Sequence, residues 1–232
     1  MAMMQEDKAW YDLRMDDGGP VYAETDPSQF IVEPWNALSS LLYMLPALIW
    51  IYKLRGEYGQ FKFMLFASIL VILGSLGSTL FHAFRTSSFF LVMDVLPVAI
   101  LALSLSILFW IRVFNSWVYM LLVVIPLTGL RFVMFNSLPD NLAINLSYAL
   151  TGLMILAPLG IMHLQGKLVK PRYILYTLVS FALALLFREM DSWQTQILPM
   201  GTHFLWHAFS GIGTYYILAF LYRFRLKHLE SA

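Results

Sequence analysis

Seven long apolar stretches run through the chain, and each is long enough to cross a membrane as an α-helix. They cover about residues 34–53, 62–83, 89–111, 116–135, 142–163, 172–188 and 202–222, with short polar segments between them. A membrane-spanning helix needs about 20 mostly apolar residues. The runs are too continuous for the alternating strands of a membrane β-barrel. The sequence therefore predicts an all-α integral membrane protein with a bundle of seven transmembrane helices.

The composition agrees with a membrane location. Hydrophobic residues make up 59% of the chain and charged residues 12%, and the mean hydropathy is +0.70. A soluble domain carries about 25% charged residues because its surface faces water. These values exclude a soluble enzyme, a nucleic-acid-binding protein and a disordered scaffold, and no obligate protein partner is evident. The absence of cysteine excludes disulfides, thiolate catalysis and cysteine-ligated zinc.

The basic residues predict the orientation, since Lys and Arg concentrate on the cytoplasmic side of a membrane. With the N-terminus outside, the inner segments hold most of the 15 Lys and Arg residues, namely Lys53, Arg55, Lys62, Arg112, Lys167, Lys170, Arg172, Arg223, Arg225 and Lys227. We therefore expect an acidic extracytoplasmic arm over 1–33, a membrane domain over 34–225 and a cytoplasmic tail over 226–232. The arm has no apolar core of a cleavable signal peptide. A bacterial inner membrane or a eukaryotic endomembrane would suit such a multi-pass protein.

Three clusters of polar or ionisable side chains stand out in the predicted spans, where an ionisable group is costly and indicates function. The second span ends with Ser78 and His82, the third begins with Asp94, and the seventh opens with His203 and His207. Residues four apart share one face of a helix. The two histidines of the seventh span therefore point the same way. The predicted topology puts all these groups at the outer end of the spans, where they can converge.

Three imidazoles with an open fourth position are the ligand set of a catalytic zinc ion, whose bound water has a pKa of about 7. Asp94 could then act as general base, and Ser78 could donate a hydrogen bond to a developing oxyanion. This chemistry favours hydrolysis of an amide or ester in a lipid. If Asp94 is instead a fourth ligand, the zinc is structural, and the chain is a receptor or lipid-binding protein without hydrolase activity. A transporter is disfavoured because paired broken helices in repeated halves are missing.

Four motifs in register resemble the alkaline ceramidases of the CREST superfamily. They are Glu33-Pro-Trp-Asn36-Ala-Leu-Ser39, Gly77-Ser78-Thr79-Leu80-Phe81-His82, Met93-Asp94-Val95-Leu96-Pro97 and His203-Phe-Leu-Trp206-His207. The likeness extends from about residue 33 to residue 222. It implies a zinc ion held by His82, His203 and His207, with Ser78 and Asp94 beside it. It also implies hydrolysis of the linear amide in ceramide-type N-acyl sphingoid lipids, which releases a fatty acid and a sphingoid base.

The same resemblance implies a calcium site in the N-terminal arm. Glu33 matches the glutamate that ends the family's site, and Val21-Tyr-Ala-Glu24-Thr-Asp26 partly matches its Asp-Trp-Cys-Glu-x-Asn pattern. Carboxylate oxygens are the hard ligands that Ca²⁺ takes. We therefore expect Glu24, Asp26 and Glu33 to bind calcium, the alternative being a solvated acidic tail that only sets the topology.

Overall fold

A computed structural model describes residues 15–191 and 198–230, and within these ranges it contains helices and no strand. The helices are α1 (Pro34–Ser40), α2 (Leu45–Lys53), α3 (Lys62–Phe84), α4 (Ser88–Phe114), α5 (Trp117–Ser137), α6 (Asp140–Leu164), α7 (Arg172–Met190) and α8 (His203–Glu230). A 3₁₀ turn, Leu41–Met44, joins α1 to α2. The described part of the chain thus has seven helical segments long and apolar enough to cross a membrane. The predicted fold class is confirmed, and the orientation of the termini stays a prediction.

The first span is interrupted, which the apolar run did not predict. Its 3₁₀ turn ends just before Leu45, and Pro46 stands in the first turn of α2. Proline has no N–H to donate to the carbonyl four residues earlier, so one bond of the regular ladder is missing there. The chain therefore tightens for one turn and resumes as α2, while the outer bounds of the span match the predicted 34–53.

The last helix is longer than its apolar run. The sequence predicts a span over 202–222, whereas α8 continues to Glu230. Hydropathy marks where a helix leaves the apolar layer, not where the helix ends. The extension carries Arg223, Arg225 and Lys227, and basic residues near a helix C-terminus interact favourably with its negative dipole end.

The chain divides into two compact units. The first comprises the described residues up to Val98 and those from Val169 onward. In it α7 packs along α8, and α1 packs against α3 and α8. Gly213 of α8 makes one close approach possible, since a Cβ there would lie 3.0 Å from the ring of Phe181. Small residues at helix contacts are typical of membrane proteins. All the predicted site residues belong to this unit.

The second unit, Ala99–Leu168, contains the packed pair α5 and α6. Its core is apolar and consists of Trp110, Met120, Val124, Leu150 and Met154. Arg131, which lies deep in the fourth predicted span, donates a hydrogen bond to Ser147 at 2.8 Å. This contact gives the intramembrane arginine a polar partner, as such residues require.

Large apolar side chains cover the outside of the spans. Leu122, Ile125 and Phe132 of α5 are 66%, 62% and 73% exposed. Soluble monomers rarely show contiguous apolar surface of this kind. The exposed surface of α5 therefore suits lipid chains as its surroundings.

Candidate metal centre

The three predicted metal-ligating histidines meet in the first unit. His82 lies in the last turn of α3, His203 is the first residue of α8, and His207 follows one turn later. Their exposed fractions are 1%, 3% and 5%. One ring nitrogen from each lies within 4.8 Å of the other two. The expected convergence is confirmed, and within the described ranges this group could hold a metal ion.

Hydrogen bonds decide which nitrogen two of these rings can offer. Nδ1 of His82 bonds to the carboxylate of Glu33, and Nδ1 of His207 lies 2.8 Å from Oγ of Ser39. Both rings therefore have Nε2 left for a ligand. Nδ1 of His203 is buried and has no hydrogen-bond partner among the described residues. A buried polar atom without a partner is costly, and a metal ion would remove that cost.

This donor set fits zinc. Three imidazoles are the protein ligands of one class of catalytic zinc site, with Zn–N distances of about 2.0–2.1 Å. Two nitrogens bound at this distance to one tetrahedral zinc ion lie about 3.4 Å apart. The three imidazole rings therefore need only a small adjustment to reach one ion. A carboxylate on the second nitrogen of a metal-binding histidine orients the ring and raises its basicity, and Glu33 has this position beside His82.

Ser78 and Asp94 flank the histidines from neighbouring helices. Ser78 precedes His82 by one turn of α3, is buried, and its hydroxyl lies 3.0 Å from that of Ser40. The Asp94 carboxyl of α4 interacts with the Ser78 hydroxyl and with His82. Among the described residues, the group of close ligand atoms contains the histidines and no carboxylate. Asp94 is therefore a neighbour of the group and not one of its members.

Gly77 allows α3 and α4 to approach closely at this point. A Cβ on Gly77 would lie 2.2 Å from the carbonyl oxygen of Met93 and 2.8 Å from the amide nitrogen of Asp94. Both atoms belong to backbone, which cannot rotate away as a side chain can. The glycine therefore fixes the separation between Ser78 and Asp94.

We expect Gly77→Ala to destabilise the protein by about 1–3 kcal/mol, the usual cost of overpacking, and to reduce any activity of the site. Thermal unfolding in detergent measures the effect. Gly129→Ala in α5 is the matched control, since a Cβ there meets no described atom within 4 Å and alanine is the better helix former. Equal stability of the Gly77 and Gly129 variants would contradict the close-approach argument.

A buried ion-pair network lies behind His82. The guanidinium of Arg85 binds Asp17 through two hydrogen bonds of 2.7 and 3.1 Å, and it also binds Glu33. Burial alone would raise the pKa of Glu33, but the hydrogen bond with His82 and the positive charge of Arg85 lower that pKa. Glu33 is therefore an ionised acceptor. The sequence reasoning did not single out Asp17 or Arg85, because nothing local in the sequence links residues so far apart.

The N-terminal arm covers the histidines with an aromatic ring. The centroid of the Tyr22 ring lies 4.1 Å from that of His203 and 5.2 Å from that of His82. Burial, followed by the negative charge of Glu33, raises the pKa of the Tyr22 phenol well above its usual value. Tyr22 therefore stays neutral and keeps its proton.

The three carboxylates predicted to bind calcium have separate partners. Glu24 accepts hydrogen bonds from the backbone N–H groups of Trp35 and Asn36, and so caps α1. Asp26 accepts bonds from its neighbours in the arm. Glu33 contacts His82 and Arg85. The structure does not bring these carboxylates together as it does the histidines.

Asp191 is a further residue that sequence reasoning missed. Its carboxylate is 2% exposed and accepts hydrogen bonds from the backbone N–H groups of Thr202 and His203, each at 2.7 Å, and of Ala23 at 2.9 Å. It therefore holds the start of α8, where two of the histidines stand, against the arm. An acidic residue at a helix N-terminus is a general capping signal, but Asp191 is too far from α8 in sequence to be recognised as its cap.

Asn36 also belongs to this region. Its backbone carbonyl accepts hydrogen bonds from Ser39 and Ser40, at 3.1 and 2.8 Å. Its side-chain amide is fully buried, and within the described ranges neither amide atom has a hydrogen-bond partner. Two serines that contact His207 are thus held by one carbonyl.

No protein-family model matches the chain, and no curated protein matches it, so the resemblance to alkaline ceramidases rests on the motif residues.

Proposed function

We propose that the protein is a zinc-dependent hydrolase that cleaves the linear amide of an N-acyl lipid within the membrane. The observation that carries the proposal is the group of three buried imidazoles, with ligand atoms within 4.8 Å, in a chain of seven apolar helices. The choice of ceramide-type N-acyl sphingoid lipids as substrates rests on the motif resemblance. The basic residues favour an active site near the outer face, in a bacterial inner membrane or a eukaryotic endomembrane.

His82, His203 and His207 would hold the metal. A zinc ion bound there would supply Lewis acidity, which polarises a carbonyl group and lowers the pKa of a water molecule to about 7. Glu33 keeps a proton on Nδ1 of His82, and the contact with Ser39 has the same effect at His207. Both rings therefore hold the tautomer that exposes Nε2.

Asp94 would transfer the proton, and Ser78 would stabilise the developing negative charge. The oxygen of the attacking water bonds to the acyl carbon, and Asp94 accepts a proton from that water. The Ser78 hydroxyl donates a hydrogen bond to the former carbonyl oxygen, which carries the developing negative charge. The C–N bond then breaks, and Asp94 returns the proton to the leaving nitrogen. The products are a fatty acid and a free sphingoid amine, with one water consumed.

The position of Asp94 beside the histidine group supports the hydrolase over a receptor with structural zinc. A closed structural site takes four protein ligands, and the described group supplies three. A carboxylate that is near but outside the group suits a general base.

The test is a substrate panel with metal analysis. Purified protein in detergent is incubated with N-acyl sphingoid lipids and, in parallel, with O-acyl glycerolipids of equal chain length, and products are measured by mass spectrometry. We expect release of fatty acid from the amide lipids, loss of release on zinc chelation, and recovery on zinc addition. Turnover that survives complete zinc removal, or no turnover of any amide lipid by zinc-loaded protein, contradicts the proposal.

A further inference from the structure

We propose that Arg85 is the resident cation of the N-terminal arm, in place of calcium, and that it fixes Glu33 and, through Glu33, the ring of His82. The exclusion of calcium stands on the arm's own contacts. The effect on His82 rests on the proposed zinc site.

Arg85 has an unusual place in the chain. It directly follows α3 and adopts a left-handed backbone conformation, with φ of 51°. Helices often end in such a conformation, but glycine or asparagine normally adopts it, because other residues are strained there. The side chain is nevertheless fully buried, with 0% exposure. An arginine held in this way needs strong compensating contacts.

The guanidinium has those contacts on several sides. Nε and Nη2 form a two-pronged interaction with the Asp17 carboxylate, Nη1 donates to Glu33, and Nη2 also donates to the carbonyl of Pro20 at 2.9 Å. Asp17 and Glu33 are 2% and 0% exposed. Two buried carboxylates require a positive charge between them, and Arg85 supplies it.

Both carboxylate oxygens of Glu33 accept hydrogen bonds from described residues. Oε1 accepts hydrogen bonds from Arg85 and from the hydroxyl of Thr25, the latter at 2.6 Å, and Oε2 accepts the bond from His82. One carboxylate therefore joins the guanidinium to the histidine. Any shift of Arg85 moves the group that orients His82.

The remaining oxygen ligands do not form a calcium site. Ca²⁺ takes six to eight oxygens at about 2.3–2.6 Å. Both oxygens of Glu24 accept backbone N–H bonds at the start of α1, and those of Asp26 accept bonds from Ser28 and Gln29. A calcium ion that reached Glu33 would also stand beside the positive charge of Arg85, and like charges repel.

The arm packs tightly onto the guanidinium at Gly19. A Cβ on Gly19 would lie 3.0 Å from Nη2 of Arg85 and 2.6 Å from the ring of Phe81. The N–H of Gly19 donates to Asp17 at 2.8 Å, which holds that carboxylate toward the arginine. The residues present therefore fit a guanidinium and do not fit calcium.

The first experiment tests calcium alone and needs no zinc or substrate. Wild-type protein, stripped with EGTA and returned to detergent buffer, is titrated with calcium by calorimetry, and its thermal unfolding is followed at millimolar calcium. We expect no saturable binding and no change in melting temperature. Stoichiometric calcium binding that Glu33→Gln abolishes would overturn the proposal.

The second experiment tests the coupling to His82. Arg85→Ala, Arg85→Lys and the exposed control Arg55→Ala are loaded with zinc and challenged with a chelator. Loss of a group that supports a metal ligand weakens metal affinity by about 10–100-fold. We expect zinc release at least about tenfold faster from Arg85→Ala, partial recovery with added methylguanidinium, an intermediate rate for Arg85→Lys, and no change for Arg55→Ala. A lysine is intermediate because it lacks the planar fork.

The outcomes separate the two proposals. Zinc release from Arg85→Ala at the wild-type rate would overturn the role of Arg85. If that variant does not fold, Asp17→Asn, which keeps the side-chain shape and removes one charge, should release zinc faster than wild type, and an unchanged rate counts against the proposal. If wild-type protein binds no zinc, the proposed function fails, whereas the calcium titration still decides whether Arg85 is the arm's cation.

Discussion

His82→Ala is expected to remove bound zinc and lipid turnover together. The substitution takes away one of the three ligands and leaves Glu33 without its histidine partner. The metal in such a site supplies several kcal/mol of transition-state stabilisation, and each 1.36 kcal/mol is tenfold in rate. We therefore expect turnover to fall by more than about 1,000-fold. Zinc content by mass spectrometry and product release are measured on the same sample.

His163→Ala is the matched control for this loss. His163 lies in the last turn of α6 and is exposed. The His163→Ala variant should retain zinc and turnover at wild-type levels. His203→Ala and His207→Ala should behave as His82→Ala does. A variant of any of the three that keeps stoichiometric zinc and full turnover would remove that histidine from the site.

Asp94→Asn is expected to keep zinc and lose most turnover. Asparagine has the shape of aspartate but cannot accept the proton of the attacking water. General-base catalysis contributes about 10²–10⁴-fold, so turnover should fall by an amount in that range. Asp16→Asn, an exposed carboxylate in the arm, is the control and should behave as wild type.

The two readouts for Asp94 distinguish the proposed roles. Retained zinc with reduced turnover supports a general base. Loss of zinc would make Asp94 a fourth ligand, as in a closed structural site, and would favour a receptor or lipid-binding protein. Unchanged turnover with retained zinc would remove Asp94 from the mechanism.

The spans were predictable because the requirement for about 20 apolar residues is strict and local. The interruption of the first span was not predicted, although Pro46 was visible in the sequence. Proline within a membrane helix is often tolerated when neighbouring groups satisfy the freed carbonyls. Whether it breaks the helix depends on packing, and here α8 approaches the 3₁₀ turn closely enough that a Cβ on Gly211 would lie 3.2 Å from the carbonyl oxygen of Leu42.

The histidine group was predictable because four-residue spacing and similar depth are both written in the sequence. His203 and His207 share a helix face, and His82 ends a span at the same side. Their supporting groups were not predictable. Asp17 contacts Arg85 from 68 residues away, and such a pair leaves no local pattern.

Glu33 shows why a residue's type alone does not define its role. Its type, an acidic residue among others in the arm, is compatible with calcium as well as with a histidine partner. The resemblance favoured calcium. Only the fold reveals that Glu33 lies between His82 and Arg85. Its carboxylate oxygens accept hydrogen bonds from these two residues.

The central claim is that three imidazoles bind one zinc ion, and zinc K-edge X-ray absorption of the purified wild-type protein tests it most directly. The account predicts one zinc per chain, with three imidazole nitrogens at about 2.0–2.1 Å and one oxygen completing the tetrahedron. Protein that takes up no stoichiometric zinc, or a spectrum without imidazole scattering, would contradict it.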